Sequence, residues 1–313
     1  MKLKETGKLV YFRKRLNQSK FYYLLFALPI LYYIIFCYVP MAGIMLAFKK
    51  YNAYAGFAKS KWVGFKYFVE FFQDPYSYKL IRNTVLLGLC QLIFAFPIPI
   101  FLALFINELP NGRTKKAVQT ISYMPHFLST VVICGMITNF LKTDGMLYNL
   151  LGSLGLKQHQ YLMEPQYFRA IYTLSEIWQS AGWSSIIYLA ALTGIDPQLY
   201  EAATIDGASR FRQLLHVTLP GIASTIAILF IFQVGSIMDN SFDKIILLYT
   251  PLTYETADTL STFIYRRGLL GNDYGYAQAV GIFSSIVSFG FLMLANFASS
   301  HISGNSIWGG SKQ

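Results

Sequence analysis

Few side chains in this 313-residue sequence are equipped for chemistry, and most of them gather in two places. The first group is Glu176, Trp178, Gln179, Trp183 and Tyr188, followed by Gln233, Ser236, Asp239, Asn240 and Asp243. Aromatic faces stack on apolar C–H surfaces, while amides, hydroxyls and carboxylates exchange hydrogen bonds with hydroxyl groups. The chemistry on offer is therefore non-covalent recognition of a polyhydroxylated ligand such as a sugar, with Trp183 and Asn240 the foremost candidates. A structural role competes with this, because Trp and Tyr favour bilayer interfaces and small polar residues pack helices together. The second place is the stretch 196–220, a polar and helix-prone segment caught between two long apolar ones. His126 and Asn139 stand alone in apolar surroundings and read as packing residues. Glu176 could serve a proton-driven carrier, but its expected place near the outer end of a span favours a hydrated, interfacial carboxylate. No His/Asp/Glu or Ser/His cluster stands at catalytic spacing. Cys37, Cys90 and Cys134 all lie in apolar segments and read as small buried hydrophobes rather than as a disulfide or metal set. No G-x-x-x-x-G-K-[ST] phosphate loop is present, so ATP is not bound by that route.

The elements that must carry these residues are membrane helices. The chain is 54% hydrophobic and only 13% charged, against about 25% charged in an ordinary soluble domain. Because a bilayer core takes about 20 apolar residues in a row, charge-poor runs predict six spans: 21–48, 83–107, 117–141, 170–195, 213–238 and 276–298. The fourth is expected to start near Ala170 and to carry Glu176 in its first turns. Prolines 29, 40, 97 and 99 fall inside the first two spans, where neighbouring helices can satisfy the freed carbonyls. The first run follows a basic stretch but is too long for a signal h-region of about 7–15 residues, and reads as a retained helix. The expected fold class is all-α integral membrane, with a segment 1–20 before the helices and a tail 301–313 after them.

Segment 1–20 holds seven basic residues against Glu5 alone, and the short 108–118 loop adds Arg113, Lys115 and Lys116. Both features predict a cytoplasmic N-terminus. Loop 49–82 is also basic and brings the Lys+Arg totals of the two sides level, at 13 each, but longer loops translocate with less regard to charge. The net charge of +11 then reflects flanking segments rather than nucleic-acid binding. With six spans, the 196–220 loop faces the cytoplasm.

Within that loop Asp196-Pro197 forms a helix start, with a capping carboxylate and a proline at the first helical position. Gly207 supplies the positive φ that ends a short helix. Ser209 caps a second helix through His216, and Pro220 sets the entry into the fifth span. Ala202 and Ala203 allow close approach of a partner, Glu201 and Asp206 offer charge, and Tyr200 and Phe211 offer apolar anchors. The bland reading is a helix pair resting on lipid headgroups.

Glu201-Ala202-Ala203, Gly207 and Val217-x-Leu219-Pro220, with Tyr123-Met124-Pro125 upstream, resemble the EAA loop and flanks of binding-protein-dependent ABC importer permeases. Val217 stands where isoleucine is usual, a change of one methylene. The resemblance runs from the basic N-terminus through the sixth span and is similar to the carbohydrate branch, with its maltose-type and LplB-type subunits. It implies the type I importer (MetI-like) fold, with a cytoplasmic coupling helix between the fourth and fifth spans formed by Tyr200, Glu201, Ala202, Ala203, Asp206 and Gly207 ahead of Leu219-Pro220. It also implies a second permease, two ATPase subunits carrying ATP and Mg, an extracytoplasmic solute-binding protein, an oligosaccharide substrate and a bacterial cytoplasmic membrane. The substrate pathway would draw on Gln179, Trp183, Tyr188, Ser236, Asp239 and Asn240. Other readings are a permease of this type for an amino acid, peptide or phosphate, or an ATP-independent carrier, which would leave the loop unexplained.

Overall fold

The computed structural model describes residues 19–307 apart from 53, 55, 111, 303 and 305. Most of the basic segment 1–20 and of the tail 301–313 lies outside the described residues. Three helices are long and apolar enough to cross a membrane: α1 (Lys20–Phe48), α3 (Pro75–Glu108) and the last helix, Tyr274–Ile302. Between α1 and α3 lie a two-stranded antiparallel hairpin, β1 (Lys49–Lys50) and β2 (Lys61–Trp62), and the short helix α2 (Lys66–Gln73). The expectation of helices alone missed this hairpin, which Trp62 secures by stacking on Phe48 with ring centroids 5.6 Å apart.

Two expected spans are bent. The stretch 117–141 breaks into α4 (Arg113–Phe127) and α5 (Thr130–Leu141), followed by α6 (Met146–Ser153), with a bend of 97° at the break. Pro125 tightens the end of α4 into a 3₁₀ turn. Ser129 then extends the chain and caps α5 by accepting from the Val132 N–H. The fifth span is divided at Ile222 into α9 (Arg210–Gly221) and α10 (Ala223–Gly235), bent by 61° just after Pro220-Gly221. Counting each bent pair as one crossing gives five candidate spans.

The expected fourth span falls in α7 (Pro165–Thr193), which has the length for a crossing but not the apolarity. Glu176, Gln179, Ser180, Ser184 and Ser185 interrupt it. It also starts earlier than expected, so Glu176 sits about three turns inside the helix rather than at its mouth. After α7 come α8 (Pro197–Ile205), then α9 and α10, α11 (Phe242–Leu248), α12 (Leu260–Ile264) and α13, the last helix.

Wide π turns at Ile34–Tyr38, Gln91–Ala95 and Leu214–Thr218 each end two residues before a proline: Pro40, Pro97 and Pro220. A proline lacks its N–H and its ring crowds the carbonyl four residues back, and a widened turn relieves both conflicts without ending the helix. That is how α1, α3 and α9 carry prolines and stay continuous.

Three apolar clusters hold the helices together. One joins α1, α2, α3 and α13 around Phe71, Leu80, Tyr276 and Val280. A second packs Leu87, Cys134, Phe168, Tyr172 and Ile245 where α3, α5, α7 and α11 meet. The third, Ala103, Leu104, Tyr188, Leu192 and Ile222, ties the ends of α3 and α7 to the α9–α10 bend. Glycine allows two backbones to touch. A Cβ at Gly182 in α7 would collide with the Ser122 carbonyl of α4, and one at Gly88 with the Ile237 carbonyl. The α1 window, by contrast, has no residue buried against the rest of the chain.

Candidate functional site

The polar face of α7 opens onto a cavity of about 390 Å³ shared with α3 and α10. Glu176, Ser180, Ser184, Ile187 and Tyr188 come from α7, Gln91, Phe96 and Pro99 from α3, and Phe232, Gln233 and Ser236 from α10 and its end. Of the pathway candidates, Tyr188 and Ser236 line this cavity, together with Glu176 and Gln233. Their spacing explains the grouping, since 176, 180, 184 and 187 recur at steps of three and four and share one helix face.

Glu176 is not the hydrated interfacial carboxylate expected of it. It pairs with Lys244 of α11 at 2.5 Å, and the lysine side chain is only 1% exposed. Behind the cavity-lining Gln91 the buried Tyr172 hydroxyl accepts from Gln91 Nε2 at 2.9 Å and from the Ser241 N–H at 3.0 Å. Lys244, Gln91, Ser180 and Ser184 escaped the sequence reading. Gln91 was visible there as an amide in the middle of a charge-free run, whereas Lys244 was lost among loop charges.

The remaining candidates lie elsewhere. Asn240 is buried and donates to the Thr84 carbonyl at 3.0 Å, which makes it a tie between the α10–α11 connection and α3. Asp239 is exposed and lines a separate serine-rich groove with Ser261, Ser284, Ser285 and Ser288. Asp243 is exposed in the first turn of α11. Asn139 donates to the Gly135 carbonyl and accepts from Lys142. Trp183 and Gln179 flank the cavity-lining stripe of α7, and Trp178 is 48% exposed. His126 is stacked flat on Trp183, with centroids 4.6 Å apart and planes 4° apart, and Phe127 meets the same indole edge-on. This aromatic wall is exposed at the α4–α5 break.

The 196–220 loop is a built structure. Asp196 Oδ1 accepts from the Gln198 N–H at 2.9 Å and Pro197 opens α8. Gly207 takes φ +76°, in the left-handed region, and turns the chain back. Ser209 caps the next helix by accepting from the Arg212 N–H. That helix does not end at His216 as expected; it widens into the π turn and continues to Gly221. Gln213 Nε2 donates to Thr204 Oγ1 and to the Ala208 carbonyl, locking α9 against α8. The Tyr200 hydroxyl lies 3.0 Å from Thr218 Oγ1, so this ring braces the loop from within rather than acting as an outer anchor. Glu201, Ala202, Asp206, Gly207 and Pro220 are exposed, while Ala203 and Leu219 are half-buried. Beside them Leu199 (54%), Ile205 (86%) and Phe211 (68%) present apolar side chains to the outside. Arg210 pairs with Glu108 at the end of α3 across 3.1 Å.

A second polar centre lies near the start of α3. Asp258 is fully buried and receives two bonds from Arg266, at 3.1 and 2.6 Å, with further bonds from the Tyr76 and Thr262 hydroxyls. Burial alone would lower the Arg266 pKa, but the bonds and charge of Asp258 outweigh it and hold the guanidinium above its ordinary value.

A helical chain with a polar cavity among long apolar helices, and a rigid polar loop with exposed apolar side chains, has the build of a transport component worked by a partner. The family comparison agrees: residues 76–303 match the binding-protein-dependent transport system inner membrane component, and the chain belongs to that family. It is similar to protein LplB of Bacillus subtilis (strain 168), 40% identical across 93% of this chain and 92% of that protein. The polygalacturonan/rhamnogalacturonan transport system permease protein YteP of the same organism is 42% identical over 90% of this chain and 88% of its own. Among solved structures, a chain of the bacterial alginate ABC transporter, crystallised in complex with an alginate pentasaccharide-bound periplasmic protein, superposes with a TM-score of 0.86. It is 42% identical and covers 94% of this chain and 99% of that one.

Proposed function

We propose that this chain is a transmembrane subunit of an ATP-driven importer for oligosaccharides. The observation that carries this reading is the polar cavity on α7, which joins through Tyr188 to the apolar core beside the 196–220 loop. Two relatives point to the substrate class: the polygalacturonan/rhamnogalacturonan permease YteP, and the alginate transporter with its pentasaccharide-loaded periplasmic protein. In this reading the chain crosses the bacterial cytoplasmic membrane six times with its N-terminus inside, and α7 is the fourth crossing. Its polar face is covered by protein or by the pathway rather than by lipid.

A second permease completes the pathway, two separate ATPase subunits hold ATP and Mg, and a solute-binding protein delivers the sugar. Glu201, Ala202, Ala203, Asp206 and Gly207 form the surface an ATPase grips, with Leu199, Ile205 and Phe211 as apolar anchors around them. Closure of the ATPase pair pushes α8, and the Tyr200–Thr218 contact and the Gln213 bonds pass that motion to α9. Glu176, Ser180, Ser184, Gln233 and Ser236 offer hydrogen bonds to hydroxyls along the cavity. The aromatic wall supports the same reading: the His126 imidazole, stacked on Trp183, makes no side-chain hydrogen bond among the described residues, and an imidazole without one is costly to face toward lipid. Trp183 and His126 therefore face the pathway or the second permease. The ligand drives the cycle by binding one conformation better than the other.

The test is ATP hydrolysis and sugar uptake by the complex reconstituted with its partners, for wild type and for Glu201→Ala combined with Gly207→Pro. Variants that stay assembled but lose stimulation by the loaded binding protein support the reading. Uptake that persists with the loop altered and without an ATPase refutes it.

A further inference from the structure

The hairpin between α1 and α2 carries a charge distribution that its own fold does not explain. Residues 49–69 hold five lysines (Lys49, Lys50, Lys59, Lys61 and Lys66) and no acidic residue. In the β1–β2 register Lys50 stands directly opposite Lys61. Like charges facing each other across two strands destabilise the pairing. No carboxylate pairs with Lys50, Lys59 or Lys61 among the described residues, where the ion pairs involve other side chains. Lys49 is the exception to this openness: its ammonium donates to the Phe57 carbonyl at 3.1 Å and lies 4.6 Å from the Phe57 ring.

The free lysines surround a concavity of about 710 Å³ between the hairpin and the start of α13. Tyr51 and Tyr274 line it, meeting edge to face with centroids 5.7 Å apart. Asn52 and Asn272 complete the wall. Asn272 adopts φ +56°, a conformation uncommon outside glycine, and its Oδ1 accepts from the Tyr274 hydroxyl at 3.0 Å, which fixes that ring. Buried Ser60 braces the floor, accepting from the Asn52 N–H and donating to the Gly56 carbonyl.

We infer that this pocket binds an acidic oligosaccharide, a chain of uronic acid units, before it enters the transmembrane pathway. Ammonium groups suit the carboxylates, tyrosine faces suit the C–H surfaces of the rings, and side-chain amides suit the hydroxyls. A bound carboxylate between Lys50 and Lys61 also removes the cross-strand repulsion that the empty hairpin bears. The pocket is concave and sized for sugar units, which favours a saccharide over the broad acidic face of a partner protein. This inference rests on the importer reading, with the 49–82 loop outside the membrane.

The experiment uses the assembled transporter in nanodiscs of zwitterionic lipid, without binding protein. Binding of a fluorescent short oligogalacturonate is compared with that of a malto-oligosaccharide of equal length, for wild type, Lys61→Glu and the Lys59→Glu/Lys61→Glu double variant. Lys61→Glu places an opposite charge across from Lys50, so the hairpin is kept or firmed while the anion site is lost. The expected result is preference for the acidic probe, weakening with salt, and a loss of about tenfold or more in the double variant. Equal binding of both probes, or acidic-probe binding untouched by the charge reversals, overturns the inference. So does a charge reversal that changes only the affinity for the binding protein, which would make the hairpin a protein-docking surface. Stimulation of wild-type ATP hydrolysis by the loaded binding protein is read in parallel: a stimulated transporter with no probe binding removes the pocket alone, and an unstimulated one removes the importer reading as well.

Discussion

Consider the substitution Lys244→Met, which keeps the apolar stem of the side chain and removes its ammonium. Lys244 is 1% exposed, and its only ion-pair partner among the described residues is Glu176, whose side chain is 16% exposed on the cavity. Breaking a fully buried pair from one side costs about 3–5 kcal/mol, because the remaining charge is left uncompensated in a poorly solvated site. Glu176 keeps some contact with the cavity and its solvent, which lowers the expected cost to about 2–3 kcal/mol. For a chain of this size that is a fall of roughly 3–5 °C in the unfolding midpoint. The double variant Lys244→Met/Glu176→Gln removes both charges and should recover to within about 1 kcal/mol of wild type. The assay is the thermal midpoint of the purified complex for the two single variants and the double. If the double variant loses as much as the two singles added together, the pair is not coupled. If Lys244→Met leaves the midpoint unchanged, the carboxylate was never dependent on it. Either result refutes the geometry on which the cavity's charge balance rests.

Three further outcomes follow from packing and backbone conformation. Gly182→Ala drives a methyl group into the Ser122 carbonyl and should cost about 2 kcal/mol, while Gly135→Ala, which meets open space, leaves the midpoint within error. Asp258→Asn removes the charge that Arg266 grips with two bonds and should cost about 3 kcal/mol, read as a lower midpoint of the purified complex. Gly207→Ala meets no neighbour but forces a side chain into φ +76°, at about 1–2 kcal/mol, so the transporter should assemble while sugar-stimulated ATP hydrolysis falls.

The 196–220 loop was legible in the sequence because its signals are local. A capping aspartate, a proline at the first helical position, a glycine at positive φ and a capping serine each act on backbone within a few residues. The helices were legible by their lack of charge, but their bends were not: Pro125 precedes a break, Pro40 and Pro97 are absorbed by π turns, and Pro220 follows a π turn yet stands just before a bend, so composition does not separate the outcomes. The cavity was half legible. Glu176 and Tyr188 stood out by type, yet Asn240, expected on the pathway, is a buried tie to α3, and Lys244, which drew no expectation, is the partner of Glu176, since which polar side chain meets which is decided by the long-range packing of α11 on α3, α5 and α7. The repulsive Lys50–Lys61 register exists only once two strands pair, so counting loop charges could show the excess of lysine but not the pocket it builds.

A helix too polar to pass as a membrane span by composition, α7, joins the cavity to the 196–220 loop. The serines and Glu176 that cost α7 its apolarity line the cavity, and the same helix ends in Tyr188 and Leu192, packed with Ala103, Leu104 and Ile222. Tyr188 belongs to both sets, with its ring in that core and its flank on the cavity wall. Ile222 is the bend between α9 and α10, and α9 is bonded to α8 through Gln213 and Tyr200. A push on α8 would therefore reach the cavity through packed side chains and three hydrogen bonds. Close-packed contacts of this kind switch between discrete arrangements rather than deform smoothly. On the proposed function, a cavity wall carried on such a lever would open or close as a unit, which is what alternating access demands of it.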